Sequence, residues 1–132
     1  MGEGAVKRKR VVVLGSTGSI GTSALKVASD IPDRMEVIGI AAHQSVEAIA
    51  KQATANGIRH VGLSHQEKAT ELASQIGGGH DVYAGEDGLV ELATLPDADM
   101  VLIAIVGTAG LRPALAALEA GKDSPSQAKK FS

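Results

Sequence analysis

Val11-Val12-Val13-Leu14-Gly15-Ser16-Thr17-Gly18-Ser19-Ile20-Gly21 is the stretch on which the reading of the whole chain turns. Four apolar residues run into three glycines spaced three apart, and an amphipathic segment follows at once. Strand, tight turn and helix start in that order make an anion site. Glycine lets the backbone approach a ligand closely, and the unpaired N–H groups and dipole of a helix N-terminus favour negative charge. Ser16, Thr17 and Ser19 add hydroxyls beside the turn. The usual dinucleotide fingerprint is Gly-x-Gly-x-x-Gly, and this loop is one residue longer, Gly-x-x-Gly-x-x-Gly. The strand before it and the helix after it therefore carry the reading.

Downstream, apolar positions alternate between strand-like runs and helical spacing. A first helix is expected from Ser19 to Asp30, with Ile20, Ala24, Val27, Ala28 and Ile31 on its inward face and Pro32 stopping it. Glu36 to Ala42 reads as the second strand. Ser45 occupies an N-cap position before the stripe Val46, Ile49, Ala50 and Ala53, and Gly57 ends that helix as a left-handed residue. A third strand spans His60 to Leu63. The helix from Gln66 to Ile76 turns Ala69, Leu72, Ala73 and Ile76 inward, and Gly77-Gly78-Gly79 closes it. Asp81 to Ala84 reads as a short strand, Asp87 to Thr94 as a short helix and Pro96-Asp97-Ala98-Asp99 as a turn. Met100 to Val106 is the last strand, followed by a second glycine turn from Gly107 to Gly110. A helix from Leu111 to Ala120 then presents Leu111, Leu115 and Leu118 on one face, with Pro113 tolerated in its first turn.

This alternation predicts an α/β fold: a Rossmann-like, doubly wound parallel sheet in a three-layer α/β/α arrangement, forming a single domain. Both glycine turns follow strand C-termini, so both are expected at the sheet edge where such folds bind ligands. The 132 residues suffice for one core, and 44% hydrophobic content with a net charge of −2 excludes a strongly basic nucleic-acid or membrane-surface binder. The chain has no cysteine, so disulfide and thiolate chemistry are excluded. With one Tyr, one Phe and no Trp, the core must come from Val, Ile, Leu and Ala. Met1 to Arg10 contains the basic cluster Lys7-Arg8-Lys9-Arg10, and residues 1–9 are expected as a flexible solvated flank. The apolar run behind that cluster stops at Gly15, too short for a secretory signal. The expected location is cytoplasmic. Residues 10–123 form the expected domain and residues 124–132 a disordered polar tail.

The string Gly15-Ser16-Thr17-Gly18-Ser19-Ile20-Gly21 resembles the N-terminal motif of the 1-deoxy-D-xylulose 5-phosphate reductoisomerase family. A second match is Ala104-Ile105-Val106-Gly107-Thr108-Ala109-Gly110-Leu111, followed by a helix ending Glu119-Ala120-Gly121-Lys122. The resemblance runs from about Lys9 to Asp123 and implies the NADPH-binding domain of an NADP-dependent oxidoreductase. That enzyme isomerises 1-deoxy-D-xylulose 5-phosphate and reduces it to 2-C-methyl-D-erythritol 4-phosphate, on the methylerythritol phosphate route to isoprenoids.

The resemblance and the loop together nominate Gly15, Thr17, Gly18, Ser19, Ile20 and Gly21 for the cofactor pyrophosphate. An NAD site carries an acid about 20 residues past the glycines. Here Ala41-Ala42-His43-Gln44-Ser45 has none, which admits a 2′-phosphate. Ala42, His43, Gln44 and Ser45 are nominated there, although the family often places Lys or Asn near this point. Ala104, Ile105 and Val106 resemble the stretch beside the nicotinamide. Relatives continue past the equivalent of Lys122 with another strand and a catalytic segment that supplies acidic ligands for Mg²⁺ or Mn²⁺. No catalytic or metal-ligating residue is therefore assigned. The phosphorylated sugar substrate is expected only in the full-length enzyme, this chain alone is expected to be inactive, and an uncovered sheet edge invites self-association. The alternative is a stand-alone nucleotide-binding or regulatory module without catalysis. His60, His65 and His80 read as surface or loop residues, and Asp97 and Asp99 as turn residues at the wrong edge of the sheet.

Overall fold

A computed structural model describes residues 8–105 and 110–122. In chain order the elements are β1 (Lys9–Leu14), α1 (Ser19–Asp30), β2 (Met35–Ala42), α2 (Val46–Asn56), β3 (His60–Leu63), α3 (Gln66–Ile76), β4 (Asp81–Ala84), α4 (Gly85–Ala93), β5 (Met100–Ile103) and α5 (Leu111–Glu119). All strand pairs are parallel, in the order β4-β3-β2-β1-β5. The chain steps outward from β1 to β4, then crosses back through α4 to place β5 on the other side of β1. The switch point lies between β1 and its two neighbours.

The uninterrupted apolar run of β1 follows from burial on both faces. Val11 and Val13 pack with Leu25 of α1, Val46, Ile49 and Ala53 of α2, and Ala69 and Leu72 of α3. Val12 and Leu14 point the other way, into Leu89, Leu92 and Ala93 of α4 and Ala117 of α5. The core is aliphatic throughout, as the scarcity of aromatics requires.

Several boundaries differ from expectation. Lys9 already pairs with Met35, and Arg8 donates to the Pro32 carbonyl (3.4 Å) and pairs with Glu36 (3.0 Å), so the sheet begins inside the expected flank. The register slips between Val11 and Val12, which sets Val12 opposite Gly39. Helix α4 starts at Gly85 rather than Asp87, because Gly85 at φ +75° turns the chain straight from strand into helix. Gly88 is buried inside that helix, where a Cβ would lie 2.8 Å from the Tyr83 carbonyl carbon. Strand β5 ends at Ile103 instead of Val106, although the Ala104 N–H still donates to the Leu14 carbonyl at 2.7 Å. Val106, the turn residues 107–109 and the expected tail 124–132 lie outside the described residues, as do residues 1–7 of the flank.

The expected inward faces of two helices are corrected. In α1 the buried residues are Gly21, Leu25 and Ala28, while Ile20, Val27 and Ile31 are 52%, 48% and 40% exposed. A Cβ on Gly21 would fall 2.0 Å from the Gly15 carbonyl oxygen, so the helix start is pressed directly onto the turn. That contact fixes its rotation. In α5 Pro113 and Ala117 are buried, and Leu111, Leu115 and Leu118 are 57%, 51% and 60% exposed. Arg112 ties α5 to α4 through Glu86 (3.0 Å) and Asp87 (2.7 Å), and the two carboxylates raise its pKa above the ordinary guanidinium value. Lys122 donates to the carbonyls of Leu95 (2.9 Å) and Ala98 (2.7 Å). Ala73 of α3 is likewise exposed rather than inward.

Candidate functional site

The β1–α1 turn is built by two of its glycines. Gly15 adopts φ +98°, and a Cβ there would meet the Ala104 carbonyl oxygen at 2.7 Å, so strand-end backbone passes directly beneath it. Gly21 carries the opposite contact, against Gly15 itself. The N–H groups of Gly15 and Ser16 both donate to the Ala41 carbonyl, at 2.7 and 2.9 Å, which anchors the turn to the end of β2. Gly18 is different. It is the N-cap of α1 at φ −82° and ψ 178°, and the nearest atom to a Cβ there would be the Gly15 oxygen at 3.7 Å. The space above Gly18 is open.

The donors are fewer than the sequence suggests. The Gly18 N–H turns inward to the Gly15 carbonyl at 3.3 Å. Ser16 is fully buried, its hydroxyl donating to Gln52 Oε1 (2.8 Å) while Gln52 Nε2 donates to the Ser16 carbonyl (2.9 Å). Ser16 is thus a packing residue, locked to α2, and its hydroxyl does not face a ligand. The N–H groups of Thr17, Ser19 and Ile20 make no hydrogen bond among the described residues. Helix α1 carries no acid in its first turn to compete for its N-terminal field.

A cleft of about 380 Å³ opens over this turn, lined by Gly15, Thr17, Gly18, Ala42, His43, Ser64, Ala104 and Ile105. Three strand ends, those of β1, β2 and β5, meet there with the turn after β3. Of the nominated residues, Gly15, Thr17, Gly18, Ala42, His43, Ala104 and Ile105 are brought together. Ser19 and Ile20 sit at the helix start beside the cleft, with the Ile20 side chain half exposed, and Gly21 is buried beneath Gly15. Gln44 and Ser45 lie just past His43, with Ser45 at the N-cap position of α2 but making no side-chain cap bond. Val106 lies outside the described residues.

Ser64 was missed, although the rule that points to strand C-termini reaches it one residue after β3. Its hydroxyl lies 2.8 Å from His43 Nδ1. Two histidines read as surface residues also have structural partners. His65 Nδ1 accepts from the Lys68 N–H at 3.3 Å, capping α3. His60 is partly buried, with Nδ1 2.9 Å from the Tyr83 hydroxyl. Burial, reinforced by Asp81 and Glu91, raises the Tyr83 pKa above the usual phenol value. Asp99 accepts from the Arg10 N–H (2.9 Å) at the amino-terminal edge, remote from the cleft. Among the described residues no three His, Asp or Glu side chains converge to hold a metal ion.

A parallel sheet with a glycine turn and unpaired helix-start donors at its switch point defines a Rossmann-like α/β domain. Within that class, the chain belongs to the 1-deoxy-D-xylulose 5-phosphate reductoisomerase family, whose model matches residues 11–125. It is 45% identical over 115 residues to the reductoisomerase of Mycobacterium marinum, covering 86% of this chain and 27% of that protein. The chloroplastic enzyme of Mentha piperita is 40% identical over 118 residues, covering 87% of this chain and 25% of the relative. Among solved structures, the Zymomonas mobilis reductoisomerase in complex with NADPH superposes with a TM-score of 0.83 at 34% identity, over 91% of this chain and 32% of that one. A reductoisomerase in complex with magnesium gives a TM-score of 0.85 at 29% identity, over 89% and 30% of the two chains. The chain therefore spans between a quarter and a third of the length of the relatives it matches.

Proposed function

We propose that this chain binds NADPH across the carboxyl ends of β1, β2 and β5 and is the cofactor domain of a reductoisomerase. The observation that carries the reading is the unequal use of the three loop glycines. Gly15 and Gly21 are consumed by packing, while Gly18 faces open space beside unpaired N–H groups. In this reading Thr17, Ser19 and Ile20 donate to the pyrophosphate. His43, with Gln44 and Ser45, serves the adenosine ribose and its 2′-phosphate, and Ala104, Ile105 and Val106 border the nicotinamide. Bound NADPH supplies a hydride; the chain's own residues bind and orient it. The solved relative in complex with NADPH supports this assignment.

The whole reaction proposed is the family's: isomerisation of 1-deoxy-D-xylulose 5-phosphate and reduction of the rearranged aldehyde. A divalent ion does not fit the described residues, which offer no converging acids, so no step is assigned to one in this chain. The 132-residue chain alone is therefore proposed to turn over no substrate. It is also proposed to self-associate. Among the described residues β5 pairs only with β1, and of the six large apolar side chains left exposed five lie on α1 and α5 and the sixth, Ile31, just past the end of α1.

Calorimetric titration of the folded chain with NADPH tests the binding reading. Saturation at or below millimolar cofactor is the expected result. A folded sample that shows no saturation there refutes it.

A further inference from the structure

The ends of β2 and β3 continue their ladder for one step beyond the strands. The Ser64 N–H donates to the Ala42 carbonyl (3.0 Å) and the His65 N–H to the His43 carbonyl (2.9 Å). This fixes three side chains against one another at the rim of the cleft. Ser64 Oγ lies 2.8 Å from His43 Nδ1, and the His65 ring meets the His43 ring edge-on, with centroids 5.9 Å apart and an interplanar angle of 72°. The His65 ring is itself held, since its Nδ1 caps α3. Nε2 of His43 has no hydrogen-bond partner among the described residues, and both His43 and Ser64 line the cleft that contains Gly15, Thr17 and Gly18.

We propose that Ser64 is a positioning residue for coenzyme discrimination: its hydroxyl holds His43 Nδ1 so that Nε2 presents an N–H to the ribose 2′-phosphate. The proposal rests on the NADPH reading above and deepens it. A hydroxyl both donates and accepts, so Ser64 can donate to Nδ1 of a neutral ring or accept from it when both ring nitrogens carry protons. In either state the proton at Nε2 faces outward. A phosphate dianion selects these two states over the third, in which Nε2 would present a lone pair to it. The second strand end is where this fold class meets the adenosine ribose. An acid there would repel the phosphate, and Ala41-Ala42-His43-Gln44-Ser45 and Ser64-His65-Gln66 contain none. The charged side chains on the adjoining helix starts are Glu47 of α2 and Glu67 and Lys68 of α3, and Lys68 Nζ lies 3.4 Å from Glu71.

The test compares NADPH and NADH dissociation constants for the parent chain, Ser64→Ala, Ser64→Thr, His43→Asn and the Ser64→Ala/His43→Asn double variant, each checked by thermal melting. Losing one charge-supporting hydrogen bond should weaken NADPH by about tenfold in Ser64→Ala while NADH changes by less than about twofold. Ser64→Thr, which keeps the hydroxyl, should restore NADPH binding. In the His43→Asn background, Ser64→Ala should have no further effect. An equal loss for both coenzymes would make Ser64 merely structural and overturn the proposal, as would a Ser64→Ala effect that persists without His43. A parent chain that binds neither coenzyme refutes the NADPH reading itself, and the positioning role falls with it. A parent that binds NADPH while Ser64→Ala binds it equally refutes the positioning role alone.

Discussion

Replacing Gly18 by valine separates the fold from the site. Gly18 sits at φ −82° and ψ 178°, extended backbone that a β-branched residue adopts without strain. Its Cβ would make only ordinary contact, 3.7 Å from the Gly15 oxygen. The folding penalty is then the loss of a favoured N-cap residue, about 1 kcal/mol, or roughly 4 °C in Tm. The binding penalty is larger. The two methyl groups would fill the space above Gly18 and push a pyrophosphate away from the Thr17, Ser19 and Ile20 N–H groups. Two lost hydrogen bonds to a charged group amount to about 3–6 kcal/mol, more than a hundredfold in affinity. Thermal melting followed by calorimetric titration with NADPH reads both quantities on one sample. The contrasting variant is Gly21→Ala, whose Cβ would fall 2.0 Å from the Gly15 oxygen. It should destabilise by about 2 kcal/mol or more despite the roughly 1 kcal/mol that alanine gains over glycine in a helix. If Gly18→Val binds NADPH within about threefold of the parent, the phosphates lie elsewhere and the argument fails.

Gln52→Ala should lower stability by about 1–3 kcal/mol, read as a fall in Tm, because it leaves the buried Ser16 hydroxyl without its partner and the Ser16 carbonyl with only the Thr22 hydroxyl as donor; an unchanged Tm would remove Ser16 from the fold's support. Tyr83 is the chain's single tyrosine and there is no tryptophan, so phenolate absorbance reports it alone. Its pKa is raised in the folded state, so the unfolded chain loses that proton first and stability should fall as pH rises above about 10. That fall should be smaller in Tyr83→Phe, and an equal fall in both chains would refute the assignment. Size-exclusion chromatography across concentrations should show association that weakens in Leu115→Glu, a change on the exposed face of α5; a monomer at all concentrations would refute the edge argument. NADPH oxidation dependent on 1-deoxy-D-xylulose 5-phosphate by the 132-residue chain alone would refute its proposed inactivity.

Element order and strand direction were legible because period and punctuation agree along the chain. The runs at β1, β3 and β4 and the spacing of α2 and α3 need no tertiary information beyond burial. Helix rotation was not legible in the same way. In α1 the apolar spacing points to Ile20, Ala24, Val27, Ala28 and Ile31, of which only Ala28 is buried and Ala24 partly so, and it passes over Gly21 and Leu25. The face carrying Gly21, Leu25 and Ala28 meets the sheet, because a glycine at position 21 allows the helix start to touch Gly15. In α5, Pro113 and Ala117 are buried and the three leucines are exposed. Gly21 sets the rotation of α1, and Ile20 and Val27 on that helix and Leu111, Leu115 and Leu118 on α5 are left facing outward. That is the pattern of a surface with more to bury than the described residues supply.

The site shows the same limit from the other side. Spacing identifies three loop glycines as equals, but only the contact with Ala104, which lies 89 residues from Gly15 in sequence, makes Gly15 obligatory. Only the arrival of α1 makes Gly21 so. Ser16 reads as a phosphate hydroxyl until Gln52, on the next helix, claims both its oxygens. Each such claim removes a candidate from the ligand and adds stiffness to the turn. What remains available is the first helical turn's N–H groups, the open position at Gly18 and the His43 ring held by Ser64. These parts come from α1, β2 and the turn after β3, and the Ala41 and Ala42 carbonyls bind them together: Ala41 accepts from the glycine turn, and Ala42 accepts from Ser64. The end of β2 is therefore the element that sets the distance between the N–H groups proposed for the pyrophosphate and His43, proposed for the 2′-phosphate. A cofactor that spans the two must match a spacing the backbone has already fixed.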